Sequence, residues 1–89
     1  MTENELPPES ELVERLRKND VQLFERVVKE YHSAMYSVAY AIAGHAIADE
    51  VVQEAWISAI KALDKFEGRS ALKSWLIRIV ANEAKTRLR

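Results

Sequence analysis

The sequence predicts an all-α fold: a compact bundle of three main helices preceded by a short N-terminal one. Three observations lead there. Apolar residues recur at three- and four-residue steps over most of the chain, the helical period. The two prolines are Pro7 and Pro8, so nothing after them forbids long helices. No stretch shows the two-residue alternation of a half-buried strand.

Met1 to Glu9 reads as a polar, acidic N-terminal tail with paired prolines, and residues 10–89 as one helical domain. The first helix is expected over Ser10–Lys18, with Ser10 as its N-cap and Leu12, Val13 and Leu16 turned inward. Asn19-Asp20 breaks the pattern, and either residue suits the cap of the second helix. That helix is expected from Val21 to Ala43, with Phe24, Val27, Val28, Tyr31, Met35, Val38, Ala39 and Ile42 on one face. Gly44 follows where a left-handed C-cap is wanted. The third helix, Ile47 to Leu63, has Val51, Val52, Ala55, Trp56, Ala59 and Leu63 as its apolar face. Asp49 and Glu50 near its start suit the helix dipole. A loop over Asp64–Arg69 contains Gly68. Ser70 is the expected N-cap of the fourth helix, which turns Leu72, Trp75, Leu76, Ile79 and Val80 inward.

With 89 residues the chain holds one domain and one modest core. No cysteine is present, so disulfides and thiolate metal sites are excluded, which fits a reducing cytoplasm. No segment has the length of a membrane span, and the acidic N-terminus is unlike a signal peptide; membrane insertion is not expected. The net charge of -1 conceals segregation. Residues 1–44 carry eight acids against five bases, and residues 45–64 carry four acids against Lys61. Residues 65–89 carry seven bases against Glu67 and Glu83. A basic end on a neutral chain implies a polyanion partner there and a different partner elsewhere.

Glu50, Gln53 and Glu54 lie at i, i+3 and i+4 and so share a helical face. Such a stripe suits an Arg-rich partner helix, although spacing of this kind by itself more often marks a solvated surface. Lys65, Arg69, Lys73, Arg78, Lys85, Arg87 and Arg89 form a basic set that releases counterions when it neutralises phosphates; scattered Lys and Arg usually only solubilise a helix, and the near absence of acids here favours nucleic acid. Asn82 shares a face with Arg78, and its amide suits a base edge. Phe66, in the loop sequence KFEGRS, has two readings: a stacking surface for an extruded base, or a plug for the end of the core. Trp56 and Trp75 fall at core spacing. His32 and His45 lack metal-ligand spacing. No catalytic constellation, Gly-rich phosphate loop or cofactor signature is present, so neither an enzyme nor a cofactor is expected.

The runs EVVQE at 50–54, ALDKFEGRS at 62–70 and WLIRIVAN at 75–82, with the weaker RKNDxxxFERVV at 17–28, together resemble region 2 of the bacterial sigma-70 family, in particular its extracytoplasmic-function (ECF) type. The resemblance spans nearly the whole chain beyond the tail. It implies a transcription initiation factor domain that binds core RNA polymerase and recognises and melts the promoter −10 element through the non-template strand. The polymerase contact, to the β′ clamp helices, falls on Asp49, Glu50, Gln53 and Glu54. Acid order departs here: the family usually has Asp where this chain has Glu50, and often Glu where it has Asp49. The loop that captures a flipped base falls on Phe66, Glu67, Gly68, Arg69 and Ser70, with Lys65 from the basic set expected at the DNA beside it. The helix at the DNA brings Arg78, Asn82 and Lys85, with Lys73 and Arg89 of the basic set expected to add to them, and many members have Asp near the position of Thr86. A cytoplasmic location and an anti-sigma partner are implied too. The family's second helical domain, which reads the −35 element, is expected to be absent from this chain. Two other readings compete: a helical protein-interaction module with no DNA role, and a helix-turn-helix duplex binder. KFEGRS disfavours the second, since it joins two long helices rather than presenting a short recognition helix.

Overall fold

The computed structural model describes residues 6–88. Its helices are α1 (Glu9–Arg17), α2 (Val21–Ala43), α3 (Ala48–Ala62) and α4 (Leu72–Arg87), with a 3₁₀ turn at Leu63–Lys65 continuing the end of α3. No strand occurs among the described residues. The expected fold class is the observed one.

α2, α3 and α4 pack on one another, and α1 lies across α2 and the 3₁₀ turn. Met35, Ala39, Ala48, Val51, Ala55, Val80 and Ala84 are completely inaccessible. Four of these seven are alanines, which let the helix backbones approach closely, while Met35, Val51 and Val80 fill the remaining space. Leu12, Val13 and Leu16 seal the core from α1, as their spacing requires. Leu23, 1% exposed, belongs to the core although the apolar stripe read from α2 begins at Phe24. Phe24 meets Trp56 edge to face, ring centres 5.7 Å apart.

The helix ends separate the capping candidates. Asp20 is the cap of α2: its Oδ1 accepts from the Leu23 N–H at 3.1 Å. Asn19 instead takes the left-handed conformation, φ 65°, that turns the chain out of α1. Gly44 ends α2 at φ 90°, donating to the Tyr40 carbonyl at 2.9 Å. No atom would obstruct a Cβ there, so the requirement for glycine is conformational rather than spatial.

Two expected caps are corrected. Ser10 lies inside α1, because Pro8 takes the N-cap position and its carbonyl accepts from Leu12 N–H at 2.9 Å. Ser70 does not cap α4. Ala71 stands at the N-cap, and the Glu9 side chain, carried by α1, accepts from the Leu72 N–H. A free N–H at a helix start needs an acceptor, and the fold supplies one from 63 residues away. The tail is also shorter than expected at its inner end: Glu9 opens α1 and Leu6 packs against the core. Residues 1–5 of that expectation lie outside the described residues.

Candidate functional site

On α3 the buried residues Val51, Val52, Ala55, Trp56 and Ala59 anchor one side against α2 and α4. Asp49, Glu50, Gln53 and Glu54 are thereby held outward, and all four are exposed. Glu50 is partly engaged: its Oε2 lies 3.1 Å from Arg87 Nη2 at the end of α4. At the surface such a pair contributes roughly 0–1 kcal/mol, so it orients Glu50 without withdrawing it from a partner. Ile57 and Ile60 continue the Gln53 row at i+4 and i+7, and both are about half exposed. Sequence reasoning passed over them; the signal was available as two large aliphatics off the apolar face. Beside this row lies a cleft of about 190 Å³ lined by Val21, Phe24, Trp56, Ile60, Leu63 and Trp75 among others.

The loop between α3 and α4 forms the second feature. Phe66 does not stand out from it. Only 6% exposed, its ring packs on Trp75 with centres 5.0 Å apart. Of its two readings the structure favours the core plug, because the 3₁₀ turn rolls the side chain beneath the loop. Burying such a ring contributes about 1.5–3 kcal/mol. What remains outward is Glu67, Gly68, Arg69 and the half-buried Ser70. Gly68, φ 76°, permits the reversal. Arg69 Nε sits 3.6 Å from Glu67 Oε1, both side chains largely in solvent. Between this loop and α1 lies a cavity of about 540 Å³, whose walls are Glu9, Ser10, Val13 and Arg17 on one side and Phe66–Ala71 on the other. The α1 wall was not legible in the sequence, since more than forty residues separate it from the loop.

α4 supplies the third feature. Leu72, Leu76, Val80 and Ala84 are buried. Arg78, Asn82 and Lys85, at i, i+4 and i+7, form an exposed row on the far side. The Asn82 carbonyl accepts from Thr86 Oγ1 at 2.9 Å, a contact that does not use its side-chain amide. Lys73 is exposed but lies roughly 140° around the helix from Arg78, so it does not join that row. Lys65 is exposed on the 3₁₀ turn. Arg89 lies outside the described residues.

His32 and His45 are exposed, and no cluster of metal-ligating side chains occurs among the described residues. They are instead the ends of a ring ladder, His32–Tyr36–Tyr40–His45, with successive centres 6.3, 6.3 and 6.4 Å apart. Among the described residues no helix is long and apolar enough to cross a membrane.

The described residues thus form a helical domain with an outward acidic and amide row on α3, a loop with a cavity between it and α1, and an exposed basic row on α4. Comparison with known proteins gives that class its family. Sigma-70 region 2 matches residues 27–89, and the chain belongs to the sigma-70 family as a region 2 domain of ECF type. The ECF RNA polymerase sigma-E factor of Escherichia coli is 42% identical over 77 residues, covering 86% of this chain and 40% of that protein. Its counterpart in Salmonella typhimurium is 40% identical over the same coverage. The RNA polymerase sigma-H factor of Pseudomonas aeruginosa is 37% identical over 81 residues, 90% of this chain and 42% of that protein. The chain thus spans about 40% of the length of these relatives. Among solved structures, an engineered region 2 of sigmaE in complex with GTAAAA, determined by NMR, superposes with a TM-score of 0.84 at 35% identity, covering 99% of this chain and 90% of that one.

Proposed function

We propose that this domain binds core RNA polymerase through α3 and captures the non-template strand of a promoter −10 element through the α3–α4 loop and α4. What supports the reading is a fold that superposes on a region 2 in complex with GTAAAA, with the loop cavity before the start of α4 and the exposed Arg78–Asn82–Lys85 row further along that helix. Asp49, Glu50, Gln53 and Glu54 meet the β′ clamp helices, and Ile57 and Ile60 extend that contact with apolar area. An unstacked base enters the cavity past Gly68, Arg69 and Ser70, while Arg78 and Lys85 hold phosphates and the Asn82 amide faces a base edge. Lys65 and Lys73 add to the field rather than to the pocket. Phe66 supports the loop from beneath, so stacking on its ring is not part of the proposal.

No step of this role is catalytic; the domain separates strands by favouring the single-stranded form. Extruding a base costs a few kcal/mol, which stacking and hydrogen bonds in the cavity have to offset. The α3 row and the apolar cleft beside it form one continuous surface, which also suits the helix of an anti-sigma partner competing with polymerase.

Strand preference separates this function from its rivals. The domain is expected to bind a single-stranded GTAAAA oligonucleotide at least about tenfold more tightly than the same sequence in duplex, measured by fluorescence anisotropy. Preference for duplex would instead support a helix-turn-helix reader, and absence of DNA binding an interaction module.

A further inference from the structure

We propose that α1 is the fixed wall of the base-receiving cavity and that Arg17 is a positioning residue for the loop that forms the other wall. The inference rests on the −10 reading above and deepens it. Arg17 stands in the last turn of α1 and reaches across to the end of α3. Its Nε donates to the Leu63 carbonyl at 3.2 Å, and its Nη2 donates to the Phe66 carbonyl. Leu63 is the C-cap of α3 and Phe66 the C-cap of the 3₁₀ turn. The Leu63 carbonyl also accepts from the Phe66 N–H at 3.1 Å, so the planar guanidinium adds a second donor there and a donor to the Phe66 carbonyl, bracing the turn at two points at once. The ammonium of a lysine, a single point charge, is not shaped for that fork.

The loop's other end is tied as well. Glu9, eight residues before Arg17, accepts from the Leu72 N–H at the start of α4. Eight residues of helix span about 12 Å. One rigid two-turn helix therefore fastens the loop at its entrance and its exit, with Ser10 and Val13 facing the space between. The cavity of about 540 Å³ falls within the ~300–1,000 Å³ typical of sites that enclose small ligands, and an unstacked nucleobase fits that class. A loop hinged on Gly68 holds one base in one pose only if its ends are fixed, and Arg17 fixes the end from which Phe66 and Glu67 depart.

The test uses this chain and a labelled single-stranded GTAAAA hexamer, with six versions each abasic at one position. Wild-type protein is expected to lose at least about fivefold in affinity at the position whose base enters the cavity. In Arg17→Ala that penalty falls below about twofold, while the ranking at the other five positions is kept. Arg17→Lys behaves like Arg17→Ala, and, because it keeps the positive charge at the α1 C-terminus, it supplies the comparison in folded protein if the alanine variant melts early. An unchanged penalty in both variants overturns the role of Arg17 and leaves base capture standing. A uniform loss across all seven oligonucleotides, with a shallower salt dependence, overturns it too, since that is the signature of a phosphate contact. Absence of any abasic penalty in the wild-type protein overturns base capture itself, and this inference with it.

Discussion

Asp20 does two jobs with one carboxylate. It caps α2 through Leu23 N–H and pairs with Arg15, whose Nη2 lies 2.8 Å from Oδ2. The hydrogen bond from Leu23, and then that from Arg15, hold its carboxyl below the ordinary value of 3.8. A depressed folded-state pKa stabilises the domain at pH values above the unfolded one, and that contribution is lost as pH falls through the folded one. Asp20→Ala is therefore expected to lower the melting temperature at pH 7, and the gap to wild type is expected to close as pH drops below about 4. A gap independent of pH in thermal melts at pH 3, 5 and 7 would remove the charge from the explanation. The pairing Asn19-Asp20 was legible as a helix boundary, but which residue capped was not. The choice depends on which residue takes the left-handed turn, and Arg15, on the preceding helix, favours the carboxylate at position 20.

At the scale of elements, α3 shows how one helix serves two masters. Its alanines and valines are buried against α2 and α4, and the opposite row stays exposed. Gln53→Ala combined with Glu54→Ala is expected to leave the melting temperature within a few degrees of wild type, because both side chains are exposed and removing them opens no cavity. The same pair is expected to weaken binding to core polymerase by about 2–5 kcal/mol if the contacts are buried in the complex. Titration against a β′ clamp-helix fragment measures it, and unchanged affinity would move the interface elsewhere on the domain. The row was readable from spacing alone, since helical periodicity turns sequence into faces. α4 was readable for the same reason, with Lys73 the exception: it belongs to the basic set by composition but not by angle. The two failed caps, Ser10 and Ser70, are good cap residues by propensity. The fold overrode both, one by starting α1 at a proline boundary and the other by offering a carboxylate from α1.

Over the whole molecule the decisive property is segregated charge. Acids dominate the first two-thirds of the chain and bases the last third, which the proposed function uses to meet a polyanion at the basic end while the chain stays near neutral overall. Arg78→Ala and Lys85→Ala are each expected to weaken single-stranded DNA binding at every sequence tested and to make the slope of log affinity against log salt shallower by about 0.7, the value for one lost phosphate contact on a single strand. A slope that stays the same in anisotropy titrations from low to moderate salt would place those residues away from the phosphates.

Three faces and their order along the chain were determined by the sequence itself: helix periods, the Gly44 break, the polar row on α3 and the basic run after Lys65 all follow from local chemistry. The runs at 50–54, 62–70 and 75–82 placed the chain in its family for the same reason, being contiguous. Only the tertiary structure decided that Phe66 turns inward onto Trp75, that Glu9 caps a helix 63 residues further on, and that Arg17 holds the end of the loop. The Glu9 and Arg17 contacts depend on α1 lying across the 3₁₀ turn. A contact between residues forty or more positions apart leaves no periodic trace in either segment, so it appears only when the helices are packed together.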